Sequence, residues 1–119
     1  MWRRLEAALV YDSRQQPPGV GLRAVTAKLP RLMYAARDIE IDVQIRPSTL
    51  AGRVRLLGQV LQGEFEPSSG WVTVESAHGS VTAELDDCGH FSIDGLARGR
   101  HQLEVHLPHA LIVVTAMHV

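Results

Sequence analysis

The sequence predicts an all-β domain, a single sandwich or barrel of about nine strands, and three observations support this class. Apolar and polar residues alternate in several runs, and a period of two is typical of strands that have one face on a core. Only 5% of the 119 residues are aromatic, so the core must be built mostly from Val, Leu and Ile, which favour sheets. Turn residues separate the runs at short spacing, which is the spacing of sandwiches and barrels.

The first half of the chain contains predicted strands of unequal clarity. Residues 5–11 indicate either a strand or a short helical turn, and a Pro-Pro-Gly loop follows them. Residues 20–29 have no readable pattern. A strand begins at Leu32, and residues 39–45 (IEIDVQI) alternate apolar with polar side chains, which indicates a strand with one solvent face.

The second half begins with a strand at residues 53–62 (RVRLLGQVLQ), where Gly58 suggests a bulge or the close approach of another backbone. Further strands are predicted at 71–76 and 110–118. Between them, residues 81–105 predict a β-meander with turns at 86–89 and 94–99. Leu96 in the second turn should plug the end of the core, and His101 should be a core-edge histidine with one satisfied nitrogen. The expected inward residues of the meander are Val81, Ala83, Leu85, Phe91, Ile93, His101, Leu103, Val105 and Leu107.

An ordered set of turn glycines and core positions covers residues 53–119. It consists of Gly58-Gln59-Val60, Val72-Thr73-Val74, DDCGHFSI at 86–93, Gly95-Leu96 and Gly99. In these positions the chain resembles the carboxypeptidase regulatory-like domains, which have the transthyretin-like (prealbumin-like) β-sandwich. The resemblance implies a Greek-key-like sandwich over residues 53–119, to which residues 1–52 add N-terminal strands and a covering segment. Two positions depart from the family: Leu96-Ala97-Arg98 stands where prolines are usual, and His101 where tyrosine is common.

The first half, with LVYDS, RLMYAARD and IEIDVQI, is similar to small bacterial proteins encoded beside sigma factors of the extracytoplasmic-function type. This similarity implies a regulatory role linked to sigma-factor or protease signalling.

Composition excludes several classes of function. The net charge is −1 and no block of Lys or Arg occurs, so we expect no nucleic-acid partner. No apolar run approaches the roughly 20 residues that cross a bilayer, so we expect no membrane partner. The single cysteine, Cys88, excludes an internal disulfide and suits the reducing cytoplasm.

The histidines and acids suggest few chemical sites. If residues 90–94 and 101–107 form neighbouring strands, His90, Glu104 and His106 point outward together and could bind zinc, although outward His and Glu are more often solvated. Asp86 and Asp87 could hold Ca²⁺, but acidic turns are common for backbone reasons, and their charges disfavour a Cys88 thiolate. We therefore expect no cofactor, no metal and no catalytic residue.

One enzyme class shares the sandwich, the transthyretin-like 5-hydroxyisourate hydrolases, which end in Tyr-Arg-Gly-Ser. This chain ends in Met117-His118-Val119, which argues against that activity.

Some strands are apolar on both faces and need a cover, supplied either by residues 20–33 or by a partner protein or second copy. The sequence therefore predicts a non-catalytic protein-interaction module that binds by strand addition along its final strand. The alternatives are a carbohydrate- or peptide-binding module, or the hydrolase, and the few aromatics disfavour the stacking on sugar rings that a carbohydrate site would need. The predicted binding edge consists of Leu57, Leu61, Leu111, Ile112, Val113 and Val114.

Overall fold

A computed structural model describes residues 3–15, 30–62 and 69–119 of the chain. These residues form ten strands, one 3₁₀ turn and no α-helix, which confirms the all-β prediction. In chain order the elements are β1 (Arg3–Glu6), β2 (Ala8–Asp12), the 3₁₀ turn (Ser13–Gln15), β3 (Arg31–Ala36), β4 (Ile39–Pro47), β5 (Arg53–Gln62), β6 (Trp71–Ser76), β7 (Gly79–Glu84), β8 (His90–Ala97), β9 (Arg100–Leu107) and β10 (Ala110–His118).

The described strands form two five-stranded sheets that share one hydrophobic core. Sheet A has the order β1-β10-β9-β6-β7, and sheet B has the order β2-β3-β4-β5-β8. The chain passes from sheet A to sheet B at Ala7, whose N–H donates to the carbonyl of Val113 at 2.9 Å. Residues 5–11, for which the sequence indicates either a strand or a short helical turn, thus belong to two short strands in different sheets.

Period-two alternation located the strands of the second half well. The predicted strands at 53–62, 71–76 and 110–118 coincide with β5, β6 and β10 at both ends. Buried and less buried residues alternate along β4, β5 and β9, as expected for strands with one face on the core.

The predicted β-meander is wrong, because β7, β8 and β9 do not pair with one another. β7 pairs with β6 in sheet A, β8 pairs with β5 in sheet B, and β9 returns to sheet A beside β6. The two turns therefore cross between sheets. The alternation of apolar and polar residues specifies which side chains face the core. In a sandwich the inward faces of both sheets meet in the same core. The alternation therefore cannot show whether two consecutive strands pair as a hairpin or belong to different sheets.

Two details of that region also differ from the prediction. Val81, predicted inward, is 43% exposed near the start of the edge strand β7, whereas Leu85 is buried. The turn predicted at 94–99 is shorter, because β8 continues to Ala97 past a register shift opposite β5. Gly95 lies at this irregularity with φ +76°, a conformation that other residues rarely adopt. Leu96 is buried, as predicted.

Gly58 is explained by a side chain rather than by a bulge or a backbone. A Cβ atom at Gly58 would lie 2.1 Å from Cζ of Phe91, so the Phe91 ring occupies the space above this glycine. The irregularity in the pairing of β5 with β8 lies elsewhere, where Arg55 of β5 stands opposite two residues of β8, Asp94 and Gly95. Phe91 itself is buried, as predicted. Residues 20–29, most of the 20–33 segment expected to cover the apolar strands, lie outside the described residues.

Candidate functional site

The predicted binding edge does not exist as one open strand. Residues 110–113 of β10 pair with β1 on one side and β9 on the other, so their backbone is already used. Ile112 and Val114 point into the core, and Val113 is fully buried on the opposite face. No residue pattern in the sequence indicates that β1 pairs in parallel with β10, so this pairing is visible only in the structure.

Leu57 and Leu61 lie apart from the final strand. Both belong to β5 in sheet B, where Leu57 stands between Gln44 and Ser92, and Leu61 stands opposite Glu40. Each is half-buried on the outer face of sheet B. The six residues predicted as one binding edge are therefore distributed over two sheets.

An apolar surface does occur at the side of the sandwich where the chain passes from β1 to β2. β2 is an edge strand of sheet B, and its Leu9 and Val10 are 46% and 57% exposed. A register shift between Leu9 and Tyr11 marks a bulge at Val10. Beyond Val113, the flank of β10 that faced β1 has no strand partner among the described residues. We call β2 and residues 114–118 of β10 the β2 side.

A cavity of about 310 Å³ opens on the β2 side between the two sheets. Its apolar lining comes from Leu9, Leu32, Tyr34 and Ala116, and its polar lining includes an ion pair. Tyr34 is so deeply placed that burial raises its pKa to about 12. A hydrophobic side chain could enter this cavity, because most of the wall is carbon and the hydroxyl of Tyr34 stays neutral at physiological pH.

The ion pair in this cavity joins Asp12, at the end of β2, to Arg14 in the 3₁₀ turn. Nε and Nη2 of Arg14 donate to the two carboxylate oxygens of Asp12 at 3.0 and 3.1 Å, and the Arg14 N–H donates at 2.9 Å. Burial raises the pKa of Asp12, but the hydrogen bonds and charge of Arg14 outweigh burial, so the pKa lies below its ordinary value. The pair fixes the chain where it leaves β2.

The predicted zinc face of His90, Glu104 and His106 is not assembled. His90 lies on β8 in sheet B, whereas Glu104 and His106 lie on β9 in sheet A, and each points outward from its own sheet. The reason is the crossing between sheets described above. Glu104 and His106 do meet, with 3.4 Å between Oε1 and Nε2, and His106 stacks on Trp71 with 4.7 Å between ring centroids.

His101 is the core-edge histidine that the sequence predicts. It is buried, and its Nε2 donates to the carbonyl of Ala97 at 2.7 Å. Nδ1 is buried without a hydrogen-bond partner among the described residues.

Neither models of protein families nor curated protein sequences nor solved structures match the chain. Within the described ranges, no helix is long and apolar enough to cross a membrane.

Proposed function

We propose that this chain is a non-catalytic protein-interaction or regulatory module of a bacterial cytoplasmic system, and that the β2 side is its binding surface. The observation that carries the proposal is the exposed apolar run of the edge strand β2, at Leu9 and Val10, beside the apolar cavity. An edge strand offers unpaired N–H and C=O groups to an incoming strand, and an adjacent pocket adds side-chain specificity.

The expected partner is an extended segment of another protein that carries a hydrophobic side chain. Its backbone would pair with β2, and its side chain would fill the cavity lined by Leu32, Tyr34 and Ala116. The bulge at Val10 limits how long a regular ladder can become, which favours short segments over a long sheet-to-sheet contact. A second copy of this chain is the other possible source of such a strand.

We further propose that the sandwich is of the prealbumin or carboxypeptidase regulatory-like type. The strand pairing supports this finer class, since β8 lies beside β5 in sheet B while the intervening β6 and β7 form a hairpin in sheet A, a connection similar to a Greek key. The link to sigma-factor or protease signalling rests on the similarity of the first half alone. A pairwise binding assay with a sigma factor or protease encoded by a neighbouring gene tests that link.

The test of the binding surface uses two matched valines. Val10 and Val81 are both exposed, and each lies on an edge strand, of sheet B and sheet A respectively. Extended peptides are selected from a displayed library against the native chain, and their affinities are then measured for Val10→Arg and Val81→Arg. We expect Val10→Arg to weaken binding by about tenfold or more, because a charged side chain blocks strand addition, and Val81→Arg to leave it unchanged.

Equal affinities for the two variants, or selected peptides that bind only elsewhere, would exclude the β2 side. Sedimentation velocity of the native chain identifies self-association, which Val10→Arg should abolish if a second copy occupies the same surface. Thermal unfolding of both variants shows whether each one is folded.

A second candidate function, carbohydrate binding, is favoured by Trp71, which is 47% exposed on the outer face of sheet A above the Glu104–His106 pair. Indole rings beside carboxylates suit sugar rings, but one face of Trp71 is taken by His106. Titration with oligosaccharides, followed by tryptophan fluorescence in the native chain and in Trp71→Ala, decides this candidate. Hydrolysis of 5-hydroxyisourate by the purified chain would contradict the proposal that it acts without catalysis.

A further inference from the structure

The turn between β7 and β8 carries three side chains of metal-ligand type at alternate positions, Asp86, Cys88 and His90. One ligand atom from each of them lies within 4.8 Å of the other two, and all three side chains are exposed. No other trio of this kind occurs in residues 3–15, 30–62 and 69–119. The turn lies at the opposite side of the sandwich from β2, so this cluster is separate from the proposed binding surface.

The backbone of this turn is fixed by its own hydrogen bonds. Oδ1 of Asp86 accepts the N–H groups of Cys88 and His90 at 2.8 and 2.9 Å. The carbonyl of Gly89 accepts the N–H of Val60 at 2.9 Å, which ties the turn to β5. Since the backbone is already ordered, a ligand needs to immobilise only side chains, and this lowers the entropy lost on binding.

The surroundings of the turn favour a cation. Asp86 is exposed, and an exposed aspartate carries a negative charge at neutral pH. A surface cavity of about 340 Å³ brings Glu84 next to Asp86 and His90, and its lining contains no lysine or arginine.

We propose that Asp86, Cys88 and His90 bind one divalent transition-metal ion, of which Zn²⁺ fits the donor set best. A thiolate, an imidazole nitrogen and a carboxylate oxygen are ligands that zinc takes, whereas Mg²⁺ and Ca²⁺ prefer oxygen alone. Water completes the four ligands of a site with three protein donors. As the S–Zn bond forms, the Cys88 thiol releases its proton to solvent, so the affinity falls as pH is lowered.

The side chains need to move only a short distance. Bond lengths of about 2.0 to 2.3 Å place tetrahedral ligand atoms roughly 3.5 Å apart, compared with separations of up to 4.8 Å in the structure. Rotation of the exposed Cys88 and His90 side chains closes this gap, so Asp86 can keep the hydrogen bonds that order the turn.

The test is a titration of the metal-free full chain with Co²⁺, which reports a bound thiolate as a sulfur-to-metal absorption band, followed by displacement with Zn²⁺. We expect one metal ion per chain. Cys88→Ser should abolish the band and lower Zn²⁺ affinity by at least about 10- to 100-fold, since even the loss of an indirect contact to a metal has an effect of that size. Asp87→Asn, in the same turn, and His106→Gln, on the other sheet, are the controls and should bind as the native chain does.

A native chain without the thiolate band, or a Cys88→Ser variant that keeps its Zn²⁺ affinity, would overturn the proposal. Equal loss in Asp87→Asn would do the same, because it would reveal a diffuse charge effect. An independent readout needs no variant: Zn²⁺ should slow alkylation of Cys88 by iodoacetamide in the native chain, and an unchanged rate would also contradict the site. Val10→Arg should leave metal binding intact, so this proposal and the binding-surface proposal fail separately.

Discussion

The two edge strands of sheet B, β2 and β8, differ in the polarity of the side chains that they expose. On the β8 side, the outward residues of β8 are His90, Ser92 and Asp94, and the inward Phe91 closes the core by lying over Gly58. On the β2 side, the exposed residues of the edge strand are Leu9, Val10 and Tyr11, and a mostly apolar cavity lies between the sheets. The β8 side is polar and carries a surface cavity of about 340 Å³, whereas the β2 side is apolar and its cavity lies between the two sheets.

This difference indicates which edge is available to a partner. Polar side chains on an edge strand discourage unwanted strand pairing, and the β8 side follows that rule. An apolar edge exposes surface that water disfavours and is usually covered in the working state of a protein. The same contrast separates a candidate metal turn, built from polar side chains, from a candidate protein-binding surface.

The largest expected effect tests whether the two sides differ in packing. Phe91→Ala should lower the free energy of unfolding by about 3–5 kcal/mol, because removal of a buried aromatic ring loses transfer free energy and leaves a cavity. Leu9→Ala should lower it by less than about 1 kcal/mol, since Leu9 is 46% exposed. Denaturant unfolding of both variants measures the contrast, and similar losses would mean that the β2 side is as closed as the β8 side.

A second substitution tests the contact that closes the β8 side. Gly58→Ala places a methyl group where the Phe91 ring now lies, so we expect a loss of about 1–3 kcal/mol from overpacking. The double variant Gly58→Ala with Phe91→Leu should lose less than the sum of the single changes, because a smaller side chain makes room. Additive losses would show that the two residues do not share this space.

A smaller effect tests the ion pair on the β2 side. Asp12→Asn should lower stability by about 1 kcal/mol at neutral pH, because a partly exposed pair with a charge-assisted bidentate contact is lost. The folded pKa of Asp12 lies below its unfolded value of 3.8, so this stabilisation is present above 3.8 and is lost as pH falls through the folded pKa. Unfolding curves of the native chain and the variant should therefore converge as pH falls below 3.8, and a constant difference would contradict the pair's role.

The sequence predicted the strands better than their partners. Alternation located β5, β6 and β10 to the residue, and the inward position of Phe91 followed from it. Pairing was not predictable in the same way, because an inward side chain meets the same core from either sheet. The parallel pairing of β1 with β10 depends on the chain changing sheets at Ala7, a position with no distinctive residue type.

The candidate sites were misplaced for the same reason. Alternation predicts β8 and β9 as neighbouring strands and therefore places His90 beside Glu104 and His106, whereas β8 and β9 lie in different sheets. The spacing of Asp86, Cys88 and His90 within one turn was visible in the sequence, but alternate positions converge only when the turn folds back on itself. For the β2 side, the sequence signal is the apolar run at residues 8–11. The sequence indicates either a strand or a helical turn there, so it does not identify an edge strand.

Amide hydrogen exchange in the presence and absence of a selected peptide tests the binding surface most directly. The account predicts that exchange slows by about tenfold or more in β2, because a bound strand pairs its backbone groups, and stays unchanged in β7 and β8. Slowed exchange in β7 or β8, with β2 unaffected, would contradict the account and assign the binding surface to the polar side.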